Sequence, residues 1–354
     1  MSLQVDQARS VGRARVAERP ARRSAARRVT RAPEFGAVVA AVLLYVFFAI
    51  ASAGNGFTSV AGTASWLNTA AQLGIIAVPL ALLMIAGDFD LSIGSMVGAG
   101  SIAVGVIAGH SHESLLVALA AALGIAIVVG LGNGLLVTRT GVPSFIVTLA
   151  GNLIVAGLAL AISRAVANST SVQVESSGFV SDLLAKKWGD FDITILWWLV
   201  TIASAAWVLG KTQFGNWILA TGGDAERARR AGVRTSRVKI SLFVCTAIAS
   251  GFVGALQAVQ FNTGDATTGQ GYVFQAPIVV IIGGVLLTGG YGTILGVVLG
   301  TIIYGIVSAG LFYTGWNTDY AQVVIGVLMI VAVLANSAVR KAAMGAFRST
   351  ATKR

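Results

Sequence analysis

Polar and apolar positions divide this chain into long apolar runs with short charged breaks. No Asp, Glu, Lys or Arg occurs in residues 35–87, 91–112, 114–138, 140–163, 193–210, 240–264, 266–318 or 320–339. A helix crossing a bilayer needs about 20 predominantly apolar residues. Each run therefore holds at least one such helix, and the two longest hold a pair. The strands of a membrane barrel would be shorter and would alternate in polarity. The pattern predicts an all-α polytopic membrane protein with about ten transmembrane helices, near 35–53, 66–87, 91–109, 115–137, 143–163, 193–210, 240–260, 273–288, 293–313 and 320–338. Eight remains open if one pair is re-entrant, because the break "TGGYGT" at 288–293 is short.

Charge orients these spans. Nine arginines lie in the first 31 residues, Arg139 stands alone, seven basic residues lie between Lys211 and Lys239, and five follow from Arg340 onward. Arg164, Lys186 and Lys187 share a segment with Glu175, Asp182, Asp190 and Asp192. By the positive-inside rule, both termini, Arg139 and the loop 211–239 are cytoplasmic, and the loop 164–192 is outside. The expected organisation is a disordered arginine-rich tail over 1–34, a membrane domain over 35–338 and a basic tail over 339–354. "FGAVVAAVLLYVFFAI" followed by "ASA" imitates a signal peptide, but the long leader and the spans that follow favour an uncleaved first span. The net charge of +11 has its explanation in flanks facing anionic membrane lipids, so a nucleic acid partner is not expected.

Composition adds two constraints. Forty-three glycines suit helices packing closely in lipid, and "GDFDLSIGSMVG" (87–98) and "GGYGTILGVVLG" (289–300) echo each other, each ending in a GxxxG. The single cysteine, Cys245, allows no internal disulfide and reads as a buried small hydrophobe. No metal, cofactor or catalytic constellation is expected. "GKT" at 210–212 lacks the earlier glycine of a phosphate-binding loop, since Ala205 occupies that place.

Four candidate groups remain. Asp88 and Asp90 stand between apolar segments, with Ser92 and Gly94 close by. Asp90 and Ser92 suit the capping of a helix beginning near Leu91, with gating and solute contact as alternatives, and Asp88 is expected to reach water. Asn68, Gln72, Asn133, Asn152, Gln257 and Gln275 offer neutral hydrogen-bonding groups, either along a solute path or between helices. In the loop 211–239, "GGDAERARRAG" reads as a short helix that Asp224 caps and Gly232 ends. Ala225, Ala228 and Ala231 form a small-residue stripe on it. This helix either lies on anionic lipid or docks a cytoplasmic partner.

"GDFDLSIGS", "VPSFIVTLAGNLIVAGLAL", "ATGGDAERARRAGVRTSRVK" and "GYVFQAPIVVIIGGVLLTGGYGTILGVVLG" occur in the order seen in ribose-type sugar importers. Over residues 55–337 the chain resembles the membrane permease of ATP-binding-cassette (ABC) uptake systems for monosaccharides. The resemblance implies a bacterial inner-membrane location, a second permease copy (identical or paralogous), a cytoplasmic ABC ATPase and a periplasmic or lipid-anchored solute-binding protein. It places Gly222, Gly223, Ala228, Arg229 and Gly232 in the segment that couples to the ATPase. Glu226 and Arg227 replace usual small residues, and Asp88 replaces a common glycine. It implies a pentose, a hexose, a polyol or another polar solute, moved by alternating access. The chain itself is not expected to be an enzyme. The rival reading is an ion-coupled secondary carrier, for which Asp88 and Asp90 are the only intramembrane ion-site candidates.

Overall fold

A computed structural model describes residues 35–317, 319–331 and 334; the expectations for the tails 1–34 and 339–354 lie outside the described residues. In chain order the elements are α1 (Phe35–Ala51), α2 (Val60–Ile85), α3 (Ile93–Val104, continued as π-helix through Gly105–His110), α4 (Leu115–Thr140) and α5 (Ser144–Ala167). Then come β1 (Ser171–Gln173), α6 (Phe179–Ala185), β2 (Lys187–Trp188), β3 (Phe191–Asp192), α7 (Thr194–Lys211), α8 (Gln213–Gly223) and α9 (Ala225–Arg230). α10 (Thr235–Gln260), β4 (Thr263–Asp265), α11 (Tyr272–Ile282), α12 (Ile294–Thr314) and α13 (Tyr320–Val331) complete the described chain.

Each expected span overlaps one apolar helix, and the end of the span expected over 320–338 lies outside the described residues. Among the described residues seven helices are long and apolar enough to cross a membrane: α2, α3 with its π-helical continuation, α4, α5, α7, α10 and α12. α1, α11 and α13 are apolar but shorter. The span expected over 273–288 needs correction. α11 has 11 residues, about 16 Å of helix against a hydrocarbon core of about 30 Å. It stops at Gly283, and Gly284 takes a left-handed φ of 86°; the chain then runs without helix to Thr293. The loop 211–239 is also more ordered than expected. Thr212 caps α8 by accepting from Gly215 N at 3.1 Å, and α10 already begins at Thr235.

α2, α3, α10 and α12 form the centre, whereas α4, α5 and α7 flank it with most of their surface exposed. From Leu73 to Ile85 every residue of α2 except Pro79 is buried. Such all-round burial explains why α2 carries no polar stripe over this stretch. Small residues set the close crossings. A methyl on Gly100 of α3 would overlap the Gly251 carbonyl oxygen of α10, and one on Gly300 of α12 would overlap that of Val279 on α11. Gly94 and Gly98 instead receive the first turn of α11 and the segment before it, at Val273, Gly269 and Ala266. Cys245, expected inside, is exposed on α10.

The two ends of the bundle differ. One, the basic end, gathers segment 86–92, the turn before α5, α8, α9 and the loop 284–293. The opposite end carries a small cap: β1 pairs antiparallel with β4 (Ser171 opposite Asp265) and β2 with β3. Asn55 Nδ2 donates to Tyr313 O there at 2.9 Å.

Candidate functional site

At the basic end, α2 stops at Ile85, and segment 86–92 carries the chain into α3. The first amide donors of a helix lack partners within it, and inside a bilayer an unmet donor is costly. Here α5 supplies partners at four-residue spacing along one face. Ser144 Oγ accepts from Phe89 N at 3.0 Å, Thr148 Oγ1 from Leu91 N at 3.0 Å, and Asn152 Oδ1 from Ser95 N at 3.1 Å. Asp90, 1% exposed, accepts from Ser92 N (2.9 Å) and Ser92 Oγ (2.6 Å) through Oδ1, and from Thr246 Oγ1 (2.6 Å) through Oδ2. Asn133 Nδ2 donates to Ser92 Oγ at 2.9 Å. Asp90 thus bonds the residue just before α3, which starts at Ile93 and not near Leu91, and the Ser92 side chain makes no cap bond of its own. Asp88 does not reach water. It is buried, and its Oδ2 lies 2.9 Å from Lys239 Nζ in the first turns of α10.

Three backbones converge beside this network. A methyl on Gly222, near the end of α8, would overlap the Ile85 carbonyl oxygen and lie 2.6 Å from Gly290 N. Gly290 N donates to Ile85 O at 2.8 Å. Methyls on Gly289 and Gly290 would lie 2.8 Å from Gly87 Cα and 2.9 Å from Gly223 Cα. Gly289 and Gly290 have φ of 76° and 79° and Gly87 has 92°, a region that side chains disfavour. The end of α2, the end of α8 and the loop before α12 therefore touch main chain to main chain.

α9 projects from this junction. Asp224 Oδ1 accepts from Arg227 N at 3.0 Å. Glu226 pairs with Arg229 and Arg230 at 3.4 and 3.3 Å. Gly232 closes the helix with φ of 89°. The alanine stripe does not form the free face: Ala228 is buried, Ala225 half-buried and Ala231 exposed. The open face is the charged one, Glu226, Arg227, Arg229 and Arg230. Gly222 and Gly223 belong to α8, and Gly222 faces the glycine junction.

Toward the opposite end lies a cavity of about 390 Å³, lined by Asn68, Thr69, Gln72, Gln257, Phe261, Thr268, Gly269, Gly271, Tyr272, Gln275 and Tyr304, none of them charged. Of the six amides expected for a path, the structure brings four to this cavity and places Asn133 and Asn152 at the basic end. Gln257 Nε2 donates to Gln72 Oε1 (3.0 Å) and Tyr272 Oη (2.9 Å), and its Oε1 accepts from Thr268 Oγ1 (3.2 Å). Gln72 Nε2 continues to Gln260 Oε1 (3.2 Å). Gln260 Nε2 ends at Leu184 O (3.2 Å) and Thr194 Oγ1 (2.6 Å). Asn68 ties α2 to the cap, donating to Asp190 O at 3.0 Å and accepting from Asp192 N at 3.1 Å. Burial raises the Asp192 carboxyl pKa above its ordinary value, opposed by Lys187, whose Nζ stands 3.7 Å from Oδ1.

Sequence reasoning did not single out Ser144, Thr148, Thr246, Lys239, Tyr272 or Tyr304. For Ser144 and Thr148 a signal existed in the four-residue spacing to Asn152. Among the described residues no group of three His, Cys, Asp or Glu could hold a metal.

Residues 62–333 match the family described as "Branched-chain amino acid transport system / permease component". The probable ABC transporter permease protein YphD of Escherichia coli (strain K12) is 30% identical over 86% of this chain and 89% of its own. The L-arabinose ABC transporter permease protein AraH of Azospirillum brasilense is 32% identical over 74% and 76%. The ribose import permease protein RbsC of Escherichia coli (strain K12) is 29% identical over 74% and 81%. No solved structure matches.

Proposed function

The chain belongs to this family of ABC-importer permeases, and from that premise we propose that it carries a monosaccharide or a related neutral polar solute across the bacterial inner membrane. It is a multi-pass transport component of that membrane and not an ATPase, which in such systems is a separate subunit. The observation that carries the solute class is the uncharged lining of the cavity. An amino acid would bring a carboxylate and an ammonium, and burying either without a partner is expensive. A sugar brings hydroxyls, which amides and phenols satisfy as both donors and acceptors. Relatives named for arabinose and ribose support the same class.

The basic end is cytoplasmic in this reading and α9 meets the ATPase with its charged face. Closure of the ATPase then displaces α8. Through Gly222 and Gly290 that displacement reaches both the end of α2 and the loop before α12. Segment 86–92, clamped by α5 and α10, acts as the inner gate. A binding protein delivers solute at the capped end, and a second permease copy completes the pathway. An ion-coupled carrier would need a carboxylate free to face the path. Asp88 is held by Lys239 and Asp90 by Ser92 and Thr246.

Reconstitution into proteoliposomes with the ATPase and binding protein tests the proposal. ATP-dependent uptake of D-ribose, L-arabinose or D-fructose, with no uptake of leucine, is expected. Uptake that persists without ATP and collapses with the proton or sodium gradient would overturn it.

A further inference from the structure

The cavity has two unlike walls. On α2 and α10 the polar heads are already engaged. Both amide hydrogens of Gln257 are donated, to Gln72 Oε1 and Tyr272 Oη, and its oxygen accepts from Thr268. Gln72 is held between Gln257 and Gln260, and Asn68 is held at both ends by the backbone of the cap. The chain of amides has a fixed sense, because Gln260 donates to the Leu184 carbonyl, which can only accept. Turning any one of these amides toward a solute would break two or more bonds at once.

On α11 and α12 the position is reversed. Gln275 and Tyr304 line the same cavity, are half-buried, and their polar heads bond to no described residue. The Gln275 amide lies over Gly271, where a methyl would stand 2.9 Å from its Nε2, so the glycine leaves it room to turn. We infer that Gln275 and Tyr304 are the specificity-determining contacts of this permease, while Asn68, Gln72 and Gln257 are positioning residues that hold the opposite wall. This inference rests on the cavity being the solute's route, as proposed above. It follows that solute is sensed on α11 and α12, the pair whose connecting loop enters the glycine junction.

The test uses the full complex with its ATPase and binding protein in proteoliposomes, with D-ribose, L-arabinose and D-fructose as competing probes. The same wild-type binding protein serves every variant, so a changed uptake ratio between variants is a property of the permease. Gln275→Leu and Tyr304→Phe are each expected to shift the ratio between the best and worst sugar by about tenfold, with unchanged thermal midpoint. Gln257→Leu is expected to lower the midpoint and slow all sugars alike, leaving the ratio intact. Tyr304→Phe removes a single oxygen atom and carries the test even if Gln275→Leu assembles poorly. Ratios unmoved by Gln275→Leu and Tyr304→Phe, or moved by Gln257→Leu alone, overturn the inference while leaving sugar import standing. A wild-type complex that takes up leucine with ATP and none of the three sugars overturns both.

Discussion

At the scale of the residue, Asp88 and Asp90 stand two positions apart and serve different ends. Asp88 balances Lys239, so Lys239→Met leaves a buried carboxylate unpaired. The expected cost is about 3 kcal/mol, read as a lower thermal midpoint of the solubilised protein, and adding Asp88→Asn restores most of it. Asp90 is an acceptor for three donors. Asp90→Asn keeps the Oδ1 bonds to Ser92. Thr246 turns its hydroxyl to Phe243 O, already 2.9 Å away, and receives the new amide hydrogen. Transport within about fivefold of wild type is therefore expected, a loss near 1 kcal/mol. Asp90→Ala leaves Ser92 N and Ser92 Oγ without their acceptor and is expected to abolish transport and lower the midpoint. Asp192 sets a pH dependence in the cap. Its folded-state pKa is raised, so the stability it contributes is fully present below the ordinary value of 3.8 and is lost as pH rises through the folded value. Asp192→Asn should flatten the rise in thermal midpoint otherwise seen on acidification from neutral pH.

At the scale of the element, the junction of α2, α8 and the loop before α12 depends on the absence of side chains. Gly222→Ala drives a methyl into the Ile85 carbonyl, whereas a methyl on neighbouring Gly223 meets nothing within 4 Å. ATP-driven uptake should be lost in Gly222→Ala and retained in Gly223→Ala, with ATPase activity measured alongside to separate uncoupling from misassembly. The helices were legible because a membrane imposes one rule on every span, and charge-free runs report it directly. α11 was not, because its residues stay apolar to Leu287 while its backbone leaves the helix at Gly283; hydropathy does not sense that change. The destinations of Asn133 and Asn152 were equally hidden, since an amide facing a cavity and one closing a helix start have the same composition and spacing. The ion pair of Asp88 with Lys239 joins residues 151 positions apart in sequence, and no local pattern announces it.

At the scale of the whole molecule, sidedness ties the parts together. In a variant with Cys245 replaced by Ala, a cysteine at Arg139 or Arg227 should react with a membrane-impermeant maleimide only after the cells are opened. One at His112 or Lys187 should react in intact cells. The reverse pattern would invert the proposed direction of drive. Central helices α2, α3, α10 and α12 connect the cavity to the junction, and α4, α5 and α7 shield them from lipid on their flank. The junction itself is made of peptide groups alone. Peptide groups are the same whatever solute the cavity receives, so under the proposed mechanism the junction transmits movement while α11 and α12 read the cargo. Changes in the lining can therefore retune what is carried without recalibrating the machinery that carries it, as an interchangeable tool head leaves a motor untouched.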